Sequence, residues 1–262
     1  MPFARAGEHR LYYEESGSGE PLVFLHGFSL DHRMWRPQVG CFAKKHRVIC
    51  PDALGHGRSD RPQTGYSRAH RVEDLARFVD NLKIDRFHLV GLSMGGSTAI
   101  GFALKYRERL VSLTLVSTGA AGYSVSKKFE RLDRVAREDG VDLARKKWLD
   151  WSLAWYKNAH REVGQFIKSM MEEYSGAVWA DPMRGRYPKE QDLERVHEID
   201  VPALILAGEL DRVFAGLAQE IHHRVKGSRL KIYEKVGHML NLEAPELFNR
   251  DLETFLGETG QN

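Results

Sequence analysis

The chain has 262 residues, 39 Lys and Arg against 36 Asp and Glu, a formal charge of +3 and 42% hydrophobic residues. That length holds one large α/β core, and the composition is that of a globular domain. A near-neutral charge without a clustered basic stripe argues against nucleic-acid binding, and no apolar run approaches the roughly 20 residues of a membrane-spanning helix. No apolar run follows Met1-Pro2-Phe3-Ala4-Arg5 either, so no signal peptide is expected. Cys41 and Cys50 read as reduced structural thiols, and the expected location is the cytoplasm.

In chain order, strand patterns fall at 9–15 and 21–26. The second strand runs into His26-Gly27-Phe28. Gly27 lets the backbone approach a ligand closely, and the Phe28 N–H is a candidate donor to an oxyanion. His26 is expected to hold this loop by hydrogen bonds. A strand at 46–51, a helix at 68–82 and a strand at 86–91 follow. The sequence then reads Gly91-Leu92-Ser93-Met94-Gly95-Gly96 and enters a helix at 94–106. Gly-x-Ser-x-Gly between strand and helix is the pattern of a nucleophile elbow, a turn so tight that side chains at 91 and 95 would collide. Ser93 is the candidate nucleophile, and the Met94 N–H the candidate first oxyanion donor.

A strand at 110–116 leads to Ser117-Thr118-Gly119, where the strand pattern stops; residues 120–198 carry helical periodicity. Trp148, Trp151 and Trp155 are spaced three and four apart on one helical face, and Met170, Met171, Tyr174 and Trp179 form a second apolar group. These residues pack the segment onto the core, line an apolar substrate pocket, or do both. Arg131, Arg134, Arg137, Arg184 and Arg186 lie in the same segment, and one facing inward could bind a substrate carboxylate. The apolar run 201–207 reads as a buried parallel strand and is followed by Gly208-Glu209-Leu210-Asp211. Asp211, with the longer reach, is preferred over Glu209 as the acid that orients a histidine. A strand at 229–234 leads to Gly237-His238-Met239, and a helix covers 244–256. His238 is the candidate general base and Met239 a candidate wall of the pocket. His9, His46, His70, His160, His197, His222 and His223 read as surface or structural residues; His222-His223 lacks the i, i+4 spacing of a metal pair, and no phosphate loop is present. No metal or cofactor is expected.

Taken together, His26-Gly27-Phe28, Asp52-Ala53-Leu54-Gly55-His56-Gly57-Arg58-Ser59-Asp60, the elbow at Ser93, Asp211 and His238 resemble the α/β-hydrolase superfamily. Within it, the chain is most similar to the small esterases and lactonases around 3-oxoadipate enol-lactonase. Where many of those relatives carry a proline shortly after the acid, this chain reads Val213-Phe214-Ala215. The resemblance implies an α/β-hydrolase fold, with a mostly parallel central sheet, helices on both faces and a helical cap inserted after the sixth strand. It implies a core of 1–119 and 199–262 and a cap of 120–198. The expected reaction is acyl transfer from a small carboxylic ester or lactone, with no nucleic acid or membrane as partner. Carbon–carbon bond hydrolysis, perhydrolysis and slow-turnover small-molecule reception use the same triad and stay open. Dehalogenase and epoxide hydrolase chemistry is disfavoured, because those relatives place an aspartate where Ser93 stands.

Overall fold

The computed structural model describes residues 2–123, 127–153 and 161–259. Strands β1 (Phe3–Ala6), β2 (His9–Ser16), β3 (Glu20–Leu25), β4 (His46–Pro51), β5 (Phe87–Leu92), β6 (Leu110–Val116), β7 (Ala203–Gly208) and β8 (Arg229–Tyr233) form one sheet. Its order is β1-β2-β4-β3-β5-β6-β7-β8. The β1–β2 and β2–β4 pairs are antiparallel and every other pair is parallel. The helices are α1 (Arg36–Phe42), α2 (Arg68–Asn81), α3 (Met94–Tyr106), α4 (Lys127–Glu138), α5 (Val141–Leu153), α6 (Arg161–Glu173), α7 (Ala177–Ala180), α8 (Asp192–Arg195), α9 (Ala215–Arg224), α10 (Leu240–Glu243) and α11 (Pro245–Thr259). This is the expected α/β-hydrolase architecture, with the cap helices α4–α7 following β6.

The middle strands are apolar throughout because helices cover the parallel sheet. All six residues of β5 and all six of β7 are buried. The edge strand β8 instead shows Arg229 and Lys231 to solvent, which discourages pairing with another chain. Trp35 joins the β3 residue Phe24, at 4.8 Å between ring centroids, to Phe248 of α11, at 6.1 Å. Phe102 of α3 meets Phe87 of β5 at 5.5 Å.

Two boundaries depart from the sequence reading for local reasons. Strand β1 was not expected; it is only four residues long and pairs with β2 across a two-residue turn. Gly7, at φ 68, opens that turn in the way tight hairpins require. Strand β7 begins at Ala203 rather than at 201, because Pro202 has no N–H to donate. Its carbonyl still accepts from Leu113 N–H at 2.9 Å.

The cap is fastened to the core at separate points. The Arg33 guanidinium bridges Asp31, at 2.6 Å, and Glu173 of α6, at 2.7 Å. The Ser175 hydroxyl donates to the Gly55 carbonyl at 3.2 Å. The Gly65 N–H donates to the Tyr187 hydroxyl at 2.8 Å. Among the described residues no helix is long and apolar enough to cross a membrane.

Candidate active site

Parallel strands bring their carboxyl ends to one edge of the sheet, and the loops that leave this edge build the site. Ser93 leaves β5 at φ 54 and ψ −109, a left-handed conformation that L-residues avoid. Strand and helix hold it there: Ser93 N–H donates to Val116 O, and Ser93 O accepts from Ser97 N–H, both at 3.0 Å. The flanking glycines are required by close approach. A Cβ on Gly91 would lie 2.5 Å from the Gly95 carbonyl oxygen, and one on Gly95 would lie 2.3 Å from that of Leu25. A Cβ on Gly96 would lie 2.0 Å from the Thr118 hydroxyl.

The β7–α9 loop carries Asp211 and the β8–α10 loop carries His238. Both side chains are buried, and His238 Nδ1 lies 2.7 Å from Asp211 Oδ2. The second oxygen, Oδ1, accepts the N–H groups of Val213 and Phe214, each at 3.3 Å. A proline at either position would remove one of these donors, so Val213-Phe214 serves the carboxylate. The Phe214 ring lies 5.2 Å from the imidazole centroid. Burial pushes the Asp211 carboxyl up, but the His238 charge and hydrogen bond, with the Ser117 hydroxyl and the Phe214 N–H, hold it below the usual range. Glu209, the rival acid, instead accepts the Lys235 N–H at 2.8 Å.

Glu243 was not singled out in the sequence. Its carboxylate accepts the Gly237 N–H through one oxygen and the Met239 N–H through the other, both at 2.9 Å. These amides flank His238, so one side chain fixes the backbone on both sides of the imidazole. The only sequence signal was an acidic residue five positions beyond a loop histidine.

The loop after β3 supplies the second candidate oxyanion donor. His26 Nε2 accepts the Ala53 N–H at 2.9 Å, which places the proton on Nδ1, 2.8 Å from the Gly27 carbonyl. Burial holds its imidazole below its usual pKa, so the ring is neutral and structural. Among the described residues nothing accepts from the Phe28 N–H. Met94 opens α3, and a helix's first N–H has no intrahelical acceptor.

The Asp52 loop braces this region from behind. Asp52 Oδ1 accepts the His32 N–H and lies 2.8 Å from His32 Nδ1, while Oδ2 accepts the Arg58 N–H at 2.9 Å. Asp31, His32 and Asp52 place donor atoms within 4.8 Å of one another, a grouping that could hold a metal ion. Their hydrogen bonds, with Asp31 chelated by Arg33, already give each a structural role.

The expected substrate-contacting residues fall in different places. Trp148 is buried, with its indole N–H on the Ser29 hydroxyl at 2.7 Å. Trp151 is half-buried and packs edge-on against Trp148 at 5.3 Å. Met239 is fully buried. Trp155 lies outside the described residues. Arg184, one of the candidate carboxylate binders, is paired with Asp133 at 2.6 Å.

Residues 22–251 match the family model described as alpha/beta hydrolase family. The chain belongs to this family. It is 32% identical over 254 residues to a Bacillus subtilis (strain 168) protein designated a 2-succinyl-6-hydroxy-2,4-cyclohexadiene-1-carboxylate synthase, covering 93% of this chain and 92% of that one. It is 31% identical over 273 residues to the 2-hydroxy-6-oxononadienedioate/2-hydroxy-6-oxononatrienedioate hydrolase of Burkholderia vietnamiensis (strain G4 / LMG 22486), covering 95% and 91%. Among solved structures it is similar to Est816, described as an N-acyl homoserine lactone degrading enzyme. That match has a TM-score of 0.83 and 29% identity, over 97% of this chain and 100% of the other. Other homologues of this hydrolase include an enol-lactonase and an esterase.

Proposed function

We propose that this alpha/beta hydrolase cleaves a small carboxylic ester or lactone through an acyl-enzyme on Ser93. The observation that carries the reading is the buried Asp211–His238 hydrogen bond, 2.7 Å long, at the sheet edge where the Ser93 elbow stands. Asp211 selects the tautomer with the proton on Nδ1 and the lone pair on Nε2. That lone pair takes the Ser93 proton as Oγ attacks the carbonyl carbon. The carbonyl π electrons move to oxygen, where the Phe28 and Met94 N–H groups stabilise the charge. On collapse the C–O bond breaks, and His238 gives its proton to the leaving oxygen. His238 then takes a proton from water as the water oxygen bonds the acyl carbon. The bond from that carbon to Ser93 Oγ breaks, and His238 returns the proton to Oγ, which frees the acid and restores Ser93. Trp148, Trp151, Trp155 and Met239 are proposed to shape the space the acyl group occupies.

The test is labelling with a fluorophosphonate, mapped by mass spectrometry, beside turnover of p-nitrophenyl esters of rising chain length. An adduct on Ser93, turnover of short esters and loss of both in Ser93→Ala are expected. Retained turnover in Ser93→Ala would sink the reading. A second reading, hydrolysis of a carbon–carbon bond in a vinylogous diketone, uses the same residues. The similarity to the nonadienedioate/nonatrienedioate hydrolase favours it. A Ser93 adduct without ester turnover points to this reading or to slow-turnover reception of a small molecule.

A further inference from the structure

The oxyanion loop is held from two sides. On the core side the Gly27 carbonyl meets His26 Nδ1 at 2.8 Å and accepts from the Leu30 N–H at 3.3 Å. That carbonyl and the Phe28 N–H belong to one trans peptide plane and point opposite ways. Fixing the carbonyl therefore aims the N–H.

On the cap side the contacts begin at Ser29, a non-glycine residue at φ 60. Such a turn persists where the surroundings hold it. The Ser29 hydroxyl donates to the Phe28 carbonyl at 2.6 Å and accepts the Trp148 indole N–H at 2.7 Å. Each bond polarises the next, so the chain of donors is stiffer than two separate contacts. The Phe28 ring is also enclosed by the cap. It meets Trp148 at 5.4 Å, Tyr174 at 5.4 Å and Trp179 at 5.2 Å, all edge-on. The ring of Phe28 is thus held by cap residues and its carbonyl by Ser29, which is itself bonded to Trp148, while the core orients the peptide plane of its N–H.

We infer that Trp148 is a positioning residue for the oxyanion hole: the core orients the peptide plane that carries the Phe28 N–H, and Trp148, through Ser29, fixes where Phe28 sits on its loop, and it does so only while the cap is seated. This rests on the acyl-enzyme reading and on Phe28 as a donor. Its consequence is that docking of α5 and completion of the catalytic machinery are one event. Water reaching Ser93 under a displaced cap meets an oxyanion hole with one donor misaligned.

Two variants test it. Trp148→Phe keeps an aromatic ring and removes the donor. Ser29→Gly removes the relay, and glycine accepts φ 60 without strain, so this variant folds whatever happens to the first. Turnover of p-nitrophenyl acetate and inhibition by a boronic acid, which forms a tetrahedral adduct on serine, are measured in both. A fall of about tenfold in kcat, with an equal loss of boronate affinity and KM within about twofold, is expected in each. The double variant should be no worse than the worse single one, because both break the same chain. Unchanged kcat, or a loss confined to KM with full boronate affinity, would overturn the inference. Ser93→Ala separates the two levels. If it is inactive while Trp148→Phe and Ser29→Gly behave as the native chain, the positioning role fails and the acyl-enzyme stands. If it is active, the acyl-enzyme itself fails.

Discussion

His238 directs Nδ1 at the Asp211 carboxylate across 2.7 Å, and the second oxygen of that carboxylate is occupied by two backbone amides. The acid is therefore held by its own loop before it holds the imidazole. Asp211→Asn should preserve this geometry and reverse the proton preference, because the amide can donate to Nδ1. A fall in kcat of roughly 10³- to 10⁴-fold is expected, with native circular dichroism. Ester kinetics at pH 7.5 decide it; a loss under tenfold would mean that the tautomer does not matter here.

Glu243 offers a contrast, since it holds the backbone amides on either side of the imidazole. Each of its two bonds is a charged hydrogen bond to an amide, worth about 1.5–3 kcal/mol. Glu243→Ala is expected to lower stability by about 2–4 kcal/mol and to reduce kcat, with Glu243→Gln milder in both. Urea denaturation beside kinetics checks the ranking. A native-like Gln variant would show that the second acceptor is idle, and equal effects from Gln and Ala would refute the ranking.

An elbow glycine and a helix glycine predict opposite outcomes for one chemical change. Gly95→Ala drives a methyl group to within 2.3 Å of the Leu25 carbonyl, so a loss of at least about 3 kcal/mol is expected. Gly164, inside α6, has open space around the site of an added Cβ. Gly164→Ala should raise stability by up to about 1 kcal/mol, through helix propensity. Thermal melts of both variants compare them directly, and a tolerated Gly95→Ala would refute the steric account.

Asp74 supplies a prediction in pH. It lies on α2 beside a small, largely apolar cavity shared with Leu11, Leu25, Leu75, Met94 and Arg71. Among the described residues no donor reaches its carboxylate. Burial pushes it up to about 7, against the pull of Arg77 and Arg71. The folded state thus binds the proton more tightly than the unfolded chain, whose value is near 3.9. Stability from this residue is full below about pH 4 and declines as pH rises through 7. Asp74→Asn should match the native chain at pH 3.5 and exceed it by about 2–4 kcal/mol at pH 8. A difference that does not change with pH would exclude burial of the charge as its cause.

What the sequence disclosed depended on how local each signal is. Strand β5, the elbow and α3 are one continuous stretch, so spacing alone announced them. Asp211 and His238 are 27 residues apart, but each stands just beyond a recognisable strand, and chain order pairs them. The Ser29–Trp148 bond joins residues 119 apart, and no local pattern in either segment announces it. Glu243 was hidden for another reason: it acts on backbone amides, which leave no trace in side-chain composition. The helix expected at 244–256 runs from Pro245 to Thr259, with the short α10 before it. Strand β1 was too short for alternation to register.

The left-handed turn at Ser93 has a further consequence. A residue other than glycine in such a conformation costs of order 1–3 kcal/mol, which the surrounding sheet and helix must absorb. Ser93→Gly would relieve that cost and remove the proposed nucleophile in one step, and it should melt no lower than the native chain. Judged by thermal robustness alone, serine is the wrong residue at position 93. The most durable version of this molecule and the version proposed to work therefore differ at the one side chain assigned the chemistry.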